Sequence, residues 1–232
     1  MSPNLSHVQN WIFDLDNTLY RGDATFFSQI DKKMTAYISR YLALQPHEAR
    51  LLQKQYYAEY GTSLSGLMSV HGMDPAEFLD YVHDVDLEML KPDLQLRRHI
   101  DALPGRKFIF TNGSKGHAKN VSGHLNLFDL FDGSFGIEDG DYTPKPKRHP
   151  YEVFNDIYDV DPKTAIFFED SVRNLEVPKA MGMITVLVTT EADFSNDPKE
   201  TRPASADTEA PWVDYKTADI TKWLKQMTAG KT

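Results

Sequence analysis

The chain has 232 residues, 41% of them hydrophobic and 25% charged, which suits a folded globular protein with one core and a smaller lobe. Its 34 acidic against 25 basic side chains leave a net charge of −9, which opposes the basic face of a general nucleic-acid binder but not a few cations placed for a small anion. With no cysteine, disulfides, thiolate nucleophiles and cysteine-based zinc sites are excluded. Met1-Ser2-Pro3-Asn4 shows no basic segment running into an apolar one, and no stretch approaches membrane-spanning length. The expectation is a soluble cytoplasmic protein with neither a membrane nor a nucleic-acid polymer as partner.

In chain order, the first predicted element is a buried strand, Trp11-Ile12-Phe13, that runs into Asp14 and Asp16. On a continuing strand the two carboxylates would share a face; if the strand ends near Asp14, Asp16 sits in a loop. From about Thr25 to Leu96 the apolar spacing is helical throughout. Phe26, Ile30, Met34, Tyr37, Ile38 and Tyr41 mark one helix, and Leu52, Tyr56 and Tyr60 a second. Gly61-Thr62-Ser63 interrupts the pattern. Leu64, Leu67 and Met68 form a short third piece, and Asp74-Pro75-Ala76-Glu77 is a helix start with a cap, a proline and an N3 glutamate.

After a turn at Leu103-Pro104-Gly105-Arg106 the character changes. Lys107 to Thr111 reads as a short strand ending at Asn112-Gly113-Ser114, followed by a helix from about Lys115 to Leu125. Phe128 to Phe135 is ambiguous, and Glu138 to Pro150 reads as a charged, proline-bearing loop. A helix around Tyr151 to Tyr158 leads to a strand, Thr164 to Phe168, that runs into Glu169-Asp170. A short helix opened by Pro178 and closed by Gly182 precedes a strand at Ile184 to Val188. Glu191 to Pro211 reads as a polar surface excursion, and Ile220, Trp223 and Leu224 fit a final helix.

Alternating strands and helices predict an α/β fold, a parallel sheet with helices on both faces. The all-helical block is too long for a connection, so it is expected to form a cap domain. The expected division is 1–20 with 97–232 as the core and 21–96 as the cap.

Ligands of open parallel sheets sit at the carboxyl ends of the strands. Three predicted strands end in reactive groups: Asp14 with Asp16, Thr111-Asn112-Gly113, and Glu169-Asp170. Each alone is ordinary turn or cap chemistry; their shared placement at strand ends is not. Four converging carboxylates would repel, and a hard divalent cation relieves this. Mg²⁺ typically takes one or two carboxylates and keeps waters and phosphate. Thr143-Pro144-Lys145-Pro146 holds Lys145 in a stiff loop as a candidate counter-charge for an anionic substrate.

In this order the four segments resemble the haloacid dehalogenase-like superfamily. Asp14-Leu15-Asp16-Asn17-Thr18 resembles its first motif, Thr111-Asn112-Gly113 its second and Lys145-Pro146 its third. Phe168-Glu169-Asp170-Ser171 with Asn174 resembles the fourth. Tyr60-Gly61-Thr62-Ser63-Leu64, Tyr81-Val82-His83 and Lys91-Pro92-Asp93-Leu94 look like the pyrimidine 5′-nucleotidase branch. The resemblance implies a Rossmann-like core with a helical cap inserted after the first motif. It implies that Asp14 is the nucleophile and Asp16 the general acid and base, with its carbonyl on the metal. Thr111, the Asn112 amide and Gly113 would hold phosphoryl oxygens, and Lys145 would neutralise Asp14 and phosphate. Asp170 would ligate Mg²⁺, with Glu169 a direct or water-mediated ligand. Many relatives carry Asp where Asn174 stands; the amide loses the charge, which moves Asn174 back from direct ligation.

The expected activity is Mg²⁺-dependent phosphomonoester hydrolysis through an aspartyl-phosphate, on nucleoside 5′-monophosphates and pyrimidines first. Thr62 and Ser63 are the expected cap contacts, with His71, His83 and Tyr60 as further candidates. Tyr56, Tyr57 and Tyr60 read first as helix core. A sugar-phosphate phosphatase or phosphomutase is the nearest enzymatic alternative, and a non-catalytic phosphometabolite-binding protein the alternative from another class. A dehalogenase would not need Asp16. A phosphonatase would need a lysine in an apolar setting, which Lys32, Lys33 and Lys54 lack.

Overall fold

The computed structural model describes residues 5–21, 24–191 and 202–228. The opening tetrapeptide, read above as carrying no leader, and 192–201 of the expected surface excursion lie outside the described residues.

Six parallel strands form one sheet in the order β3-β2-β1-β4-β5-β6. They are β1 (Asn10–Phe13), β2 (Arg106–Phe110), β3 (Gly133–Phe135), β4 (Ala165–Glu169), β5 (Ile184–Val188) and β6 (Tyr215–Thr217). The chain lays β1, β2 and β3 outward on one side, then returns to build β4, β5 and β6 on the other. Strand order therefore reverses at β1 and β4, where an open sheet leaves a crevice at its carboxyl edge. Phe13 pairs with Ile109 on one flank and with Phe168 on the other, so the three chemistry-bearing strands end side by side.

Alternate residues feed opposite faces of the sheet, as a strand covered on both sides requires. Trp11, Phe13, Ile109, Phe168 and Val186 pack under α5 (Leu94–Asp101), α6 (Lys115–His124) and α9 (Ile220–Thr228). Ile12, Phe108, Phe110 and Phe167 pack against α7 (Arg148–Tyr158) and α8 (Glu176–Met181). The Phe13 and Phe168 rings stack with centroids 4.7 Å apart, locking β1 to β4 beside the site.

A third apolar cluster joins α1 (Ala24–Leu42), α2 (Pro46–Tyr60), α3 (Ser63–His71) and α4 (Pro75–His83) through Tyr37, Ile38, Tyr56, Leu67, Phe78 and Val82. Helix does not run unbroken to Leu96. Residues 84–93 are irregular, because Pro92 cannot continue a helix and Asp93 starts a new one by accepting the Gln95 and Leu96 amides. Leu96 and Ile100 pack with the sheet cluster rather than with α1–α4. Helix α8 begins at Glu176, two residues before Pro178, which occupies the first turn where its missing N–H does no harm. Strands β3 and β6, three residues each, were too short to carry a periodic signal.

Candidate active site

Strand β1 stops at Phe13, so Asp14 stands just beyond its carboxyl end and Asp16 lies in the loop that follows. The Asp14 amide still donates to the Phe168 carbonyl at 2.9 Å, which fixes it to the end of β4. Lys145, 1% exposed, crosses beneath. Its Nζ donates to Asp14 Oδ1 and Glu169 Oε2, each at 2.7 Å, and to the Phe110 carbonyl at 2.9 Å. All three ammonium protons thus have partners. Burial alone would lower the Lys145 pKa, but Asp14 and Glu169 outweigh it and hold the ammonium charged.

Asn112 shapes the loop that delivers this lysine. Its carboxamide accepts the Lys145 amide at 2.8 Å and donates to the Lys145 carbonyl at 3.2 Å. Thr111 is buried at the end of β2, where its Oγ1 accepts the Gly113 amide at 2.9 Å. A Cβ on Gly113 would lie 3.1 Å from the His117 ring and 3.3 Å from Thr111 Oγ1, so glycine keeps this floor open.

Asp14, Glu169 and Asp170 offer oxygens within 4.8 Å of one another. Glu169 is the most committed, with Oε2 on Lys145 and Oε1 accepting the Ser171 amide at 3.0 Å. Burial, then Glu169, pushes the Asp14 carboxyl from 3.8 up to about 8 against the pull of Lys145; burial and Glu169 also raise Asp170 well above its usual value. Two buried carboxyl groups and the half-buried Asp170 are more acids than one lysine can neutralise when ionised. An all-oxygen donor set of this kind fits a hard divalent cation such as Mg²⁺. Asn174 is buried nearby, with its Oδ1 lacking a hydrogen-bond partner and its carbonyl accepting from Tyr151 at 2.7 Å.

All four carboxylates line one cleft, but only Asp14, Glu169 and Asp170 bring oxygens within 4.8 Å of one another. The Asp16 carboxylate has partners of its own: the Tyr20 hydroxyl and His117 Nε2 (3.0 Å) both reach Oδ1. Burial would raise the Asp16 pKa, but the His117 ring and the Tyr20 hydrogen bond hold it below 3.8. The His117 ring stacks on His83, centroids 4.4 Å apart, and His83 Nδ1 shares a hydrogen bond with Ser114 Oγ at 2.9 Å. Burial, then the neighbouring His117, lowers the His83 pKa to about 3, so its imidazole is neutral.

Above these groups a cleft of about 510 Å³ opens between the sheet edge and α1–α4. Thr62 and Ser63 line it, but their hydroxyls hold the fold. Thr62 caps α3 by accepting the Ser65 amide at 3.0 Å, and Ser63 donates to the Gln53 carbonyl at 2.9 Å. His83 lines the cleft. Tyr60 and His71 do not; His71 bonds Tyr56 OH at 2.8 Å. The tyrosine that does line it is Tyr57, whose hydroxyl accepts from Arg173 Nη2 at 2.9 Å. Lys54 and Arg50 also line it, tied to Asp31 at 2.6 and 2.8 Å.

Several of these groups had no signal in the sequence. Tyr20 and His117 touch Asp16 from four residues and about a hundred residues away. Arg202 and Pro203 line the cleft, and the Ala204 amide donates to the Asp170 carbonyl at 2.9 Å. The far limb of the expected surface excursion therefore returns to the site. Among the described residues, no helix is long and apolar enough to cross a membrane.

Comparison with known proteins bears on the same segments. The family model for haloacid dehalogenase-like hydrolases matches residues 10–182. A curated relative, phosphate metabolism protein 8 of Saccharomyces cerevisiae, is 33% identical over 135 residues. That alignment spans 53% of this chain and 41% of the yeast protein, less than half its length. Among solved structures, a HAD phosphatase from Thermococcus onnurineus superposes with a TM-score of 0.66 at 17% identity, covering 96% of this chain and 99% of that one. The L-2-haloacid dehalogenase of Xanthobacter autotrophicus superposes at 0.59 with 15% identity, covering 96% and 99%. At these identities the structural likeness speaks to the fold alone.

Proposed function

From a chain that belongs to the haloacid dehalogenase-like hydrolases, we propose an Mg²⁺-dependent phosphomonoesterase acting through a phosphorylated Asp14. Dehalogenases and phosphatases share this fold, so the reading rests on the site. The observation that carries it is the division of labour among four acids. Asp14, Glu169 and Asp170 crowd around Lys145, while Asp16 is held by donors of its own. A halide-releasing hydrolase has no use for that separate carboxylate, whereas phosphate esters need a proton delivered to the leaving oxygen.

In this reading Asp14 attacks phosphorus as its carboxylate, the form Lys145 favours, and the ester oxygen departs with a proton from the neutral carboxyl form of Asp16, a minority form in the free site. Asp16 then takes a proton from water as it hydrolyses the acyl phosphate, a familiar use of a carboxylate nucleophile. Lys145 holds Asp14 in place and offsets charge on the phosphoryl group, whose oxygens Thr111, the Asn112 amide and Gly113 receive. Asp14, Asp170 and the Asp16 carbonyl would hold Mg²⁺, with Glu169 beside them. The bound ion would supply further charge neutralisation, the main requirement of phosphoryl transfer. Helices α1–α4 act as a cap that supplies substrate contacts.

The substrate we propose is a nucleoside 5′-monophosphate, UMP and CMP above AMP and GMP. The cleft is of ordinary size for a small-molecule ligand. Tyr57 offers it a ring face, and the likeness of the cap segments to the pyrimidine nucleotidase branch supports the base. The test is kcat/KM across the four nucleotides, glucose phosphates, phosphoglycolate and p-nitrophenyl phosphate, with and without Mg²⁺. Contacts in the cap should separate the nucleotides by about 1–3 kcal/mol each. A hexose phosphate or phosphoglycolate at the top, with nucleotides barely turned over, rejects the nucleotidase and leaves a phosphatase. No Mg²⁺-dependent release of phosphate from any of them rejects the phosphatase.

A further inference from the structure

The geometry points to His117 as the positioning residue for proton transfer by Asp16, held in register by His83 at the end of α4. This rests on the phosphatase reading above and assigns the atoms that carry its proton.

Asp16 Oδ1 accepts two hydrogen bonds, from the Tyr20 hydroxyl and from His117 Nε2. Oδ2 lies toward the open floor of the site, 3.8 Å from where a Cβ on Gly113 would stand. With Oδ1 doubly engaged, Oδ2 is the oxygen that gives the proton to the leaving group and takes one from water. A carboxylate fixed through one oxygen presents the other at a constant angle, and such orientation is a large part of what an enzyme contributes.

The imidazole that fixes it is itself constrained. His117 is 2% exposed, and its Nδ1 is buried without a hydrogen-bond partner. Toward an ionised Asp16 oxygen, Nε2 is the donor. The ring plane is set from both ends. The backbone amide of His117 donates to Ser114 Oγ at 3.0 Å, and the same hydroxyl is hydrogen-bonded to His83 Nδ1 at 2.9 Å. His83 then lies over the His117 ring at 4.4 Å with 24° between planes. Because α4 packs with α1–α3, the position of those helices is felt at Asp16 through two stacked rings.

The test pairs two substitutions with opposite losses. His117→Gln keeps an N–H for Asp16 and loses the stack; His117→Phe keeps the stack and volume and loses the donor. Turnover of a nucleoside monophosphate, whose leaving oxygen needs a proton, is compared with that of p-nitrophenyl phosphate, whose leaving group does not. General acid–base catalysis contributes about 10²–10⁴-fold, so His117→Phe should lower nucleotide kcat by about tenfold to a hundredfold with KM little changed. On p-nitrophenyl phosphate it should retain a rapid burst of p-nitrophenol followed by slow turnover, since water attack still needs Asp16. His117→Gln should recover much of the loss. Phe near wild type with Gln impaired, or equal losses on both substrates carried in KM, assigns His117 to packing and overturns the proposal.

Nitrogen-15 NMR of the wild-type protein supplies a readout independent of turnover. It should show hydrogen on His117 Nε2, and a ring with none on Nε2 overturns the proposal whatever the substrate. Absence of any phosphatase activity in wild type, with hydrogen present on Nε2, rejects the phosphatase reading and confines His117 to holding Asp16.

Discussion

Asp14 combines burial, two neighbouring carboxylates and one lysine, and its chemistry and its stability effect follow from that setting. Asp14→Asn removes the nucleophile and should abolish turnover while the circular dichroism spectrum stays native. Asp16→Asn should lower kcat by about 10²–10⁴-fold. The raised Asp14 pKa also fixes a sign. The unfolded carboxyl ionises at 3.8 and the folded one at about 8, so between them the folded state binds the extra proton. Stability from this group is therefore full below pH 3.8 and lost as pH rises toward 8. In EDTA, the Tm of Asp14→Asn minus that of wild type should grow from pH 4 to pH 8; taking the difference cancels His83, which titrates the other way. A flat difference would contradict the crowded-carboxylate picture. Asp14, Thr111, Lys145, Glu169 and Asp170 were legible because each stands at a strand end or in a proline-bound loop. Tyr20 and His117 were not, because a hydrogen bond between distant residues leaves no periodicity behind.

At the scale of elements, the contact between Tyr57 on α2 and Arg173 just after β4 joins the helical block to the sheet edge. The guanidinium also lies 5.2 Å from the ring centroid. A hydrogen bond to a charged group is worth about 1.5–3 kcal/mol net when buried. Tyr57→Phe keeps the ring and removes the acceptor, so nucleotide KM should rise by about tenfold, the equivalent of 1.4 kcal/mol. The measurement is KM for a nucleotide beside that for p-nitrophenyl phosphate, too small to depend on the helices. An equal rise for both would place the effect in the phosphate site instead. The strands β1, β2, β4 and β5 could be read from their apolar runs, and α4 from its cap and proline. The return of Arg202 to Ala204 to the site could not, since a polar, proline-bearing segment reads alike on a surface or over a cleft.

Over the whole molecule, net charge of −9 and an acidic trio, two of its members buried, make the site dependent on added positive charge. Activity should vanish on exhaustive chelation and return with Mg²⁺, and Ca²⁺ should restore it poorly because its looser, larger shell misplaces the phosphate. Full activity in EDTA would remove the metal from the mechanism. The sheet class and the inserted helices were legible from alternation and length; the short outer strands β3 and β6, which depend on their neighbours for stability, were not. The reversal of strand order at β1 also has a consequence in time. Its partners β2 and β4 start about a hundred and about a hundred and fifty residues later, so β1 emerges from the ribosome long before either exists. At roughly 5–20 residues per second, Trp11-Ile12-Phe13 waits about 10–30 s, unpaired, for β4. A nascent chain arrested before Ala165 should accordingly bind a chaperone through that segment, and one arrested well past Glu169 should release it.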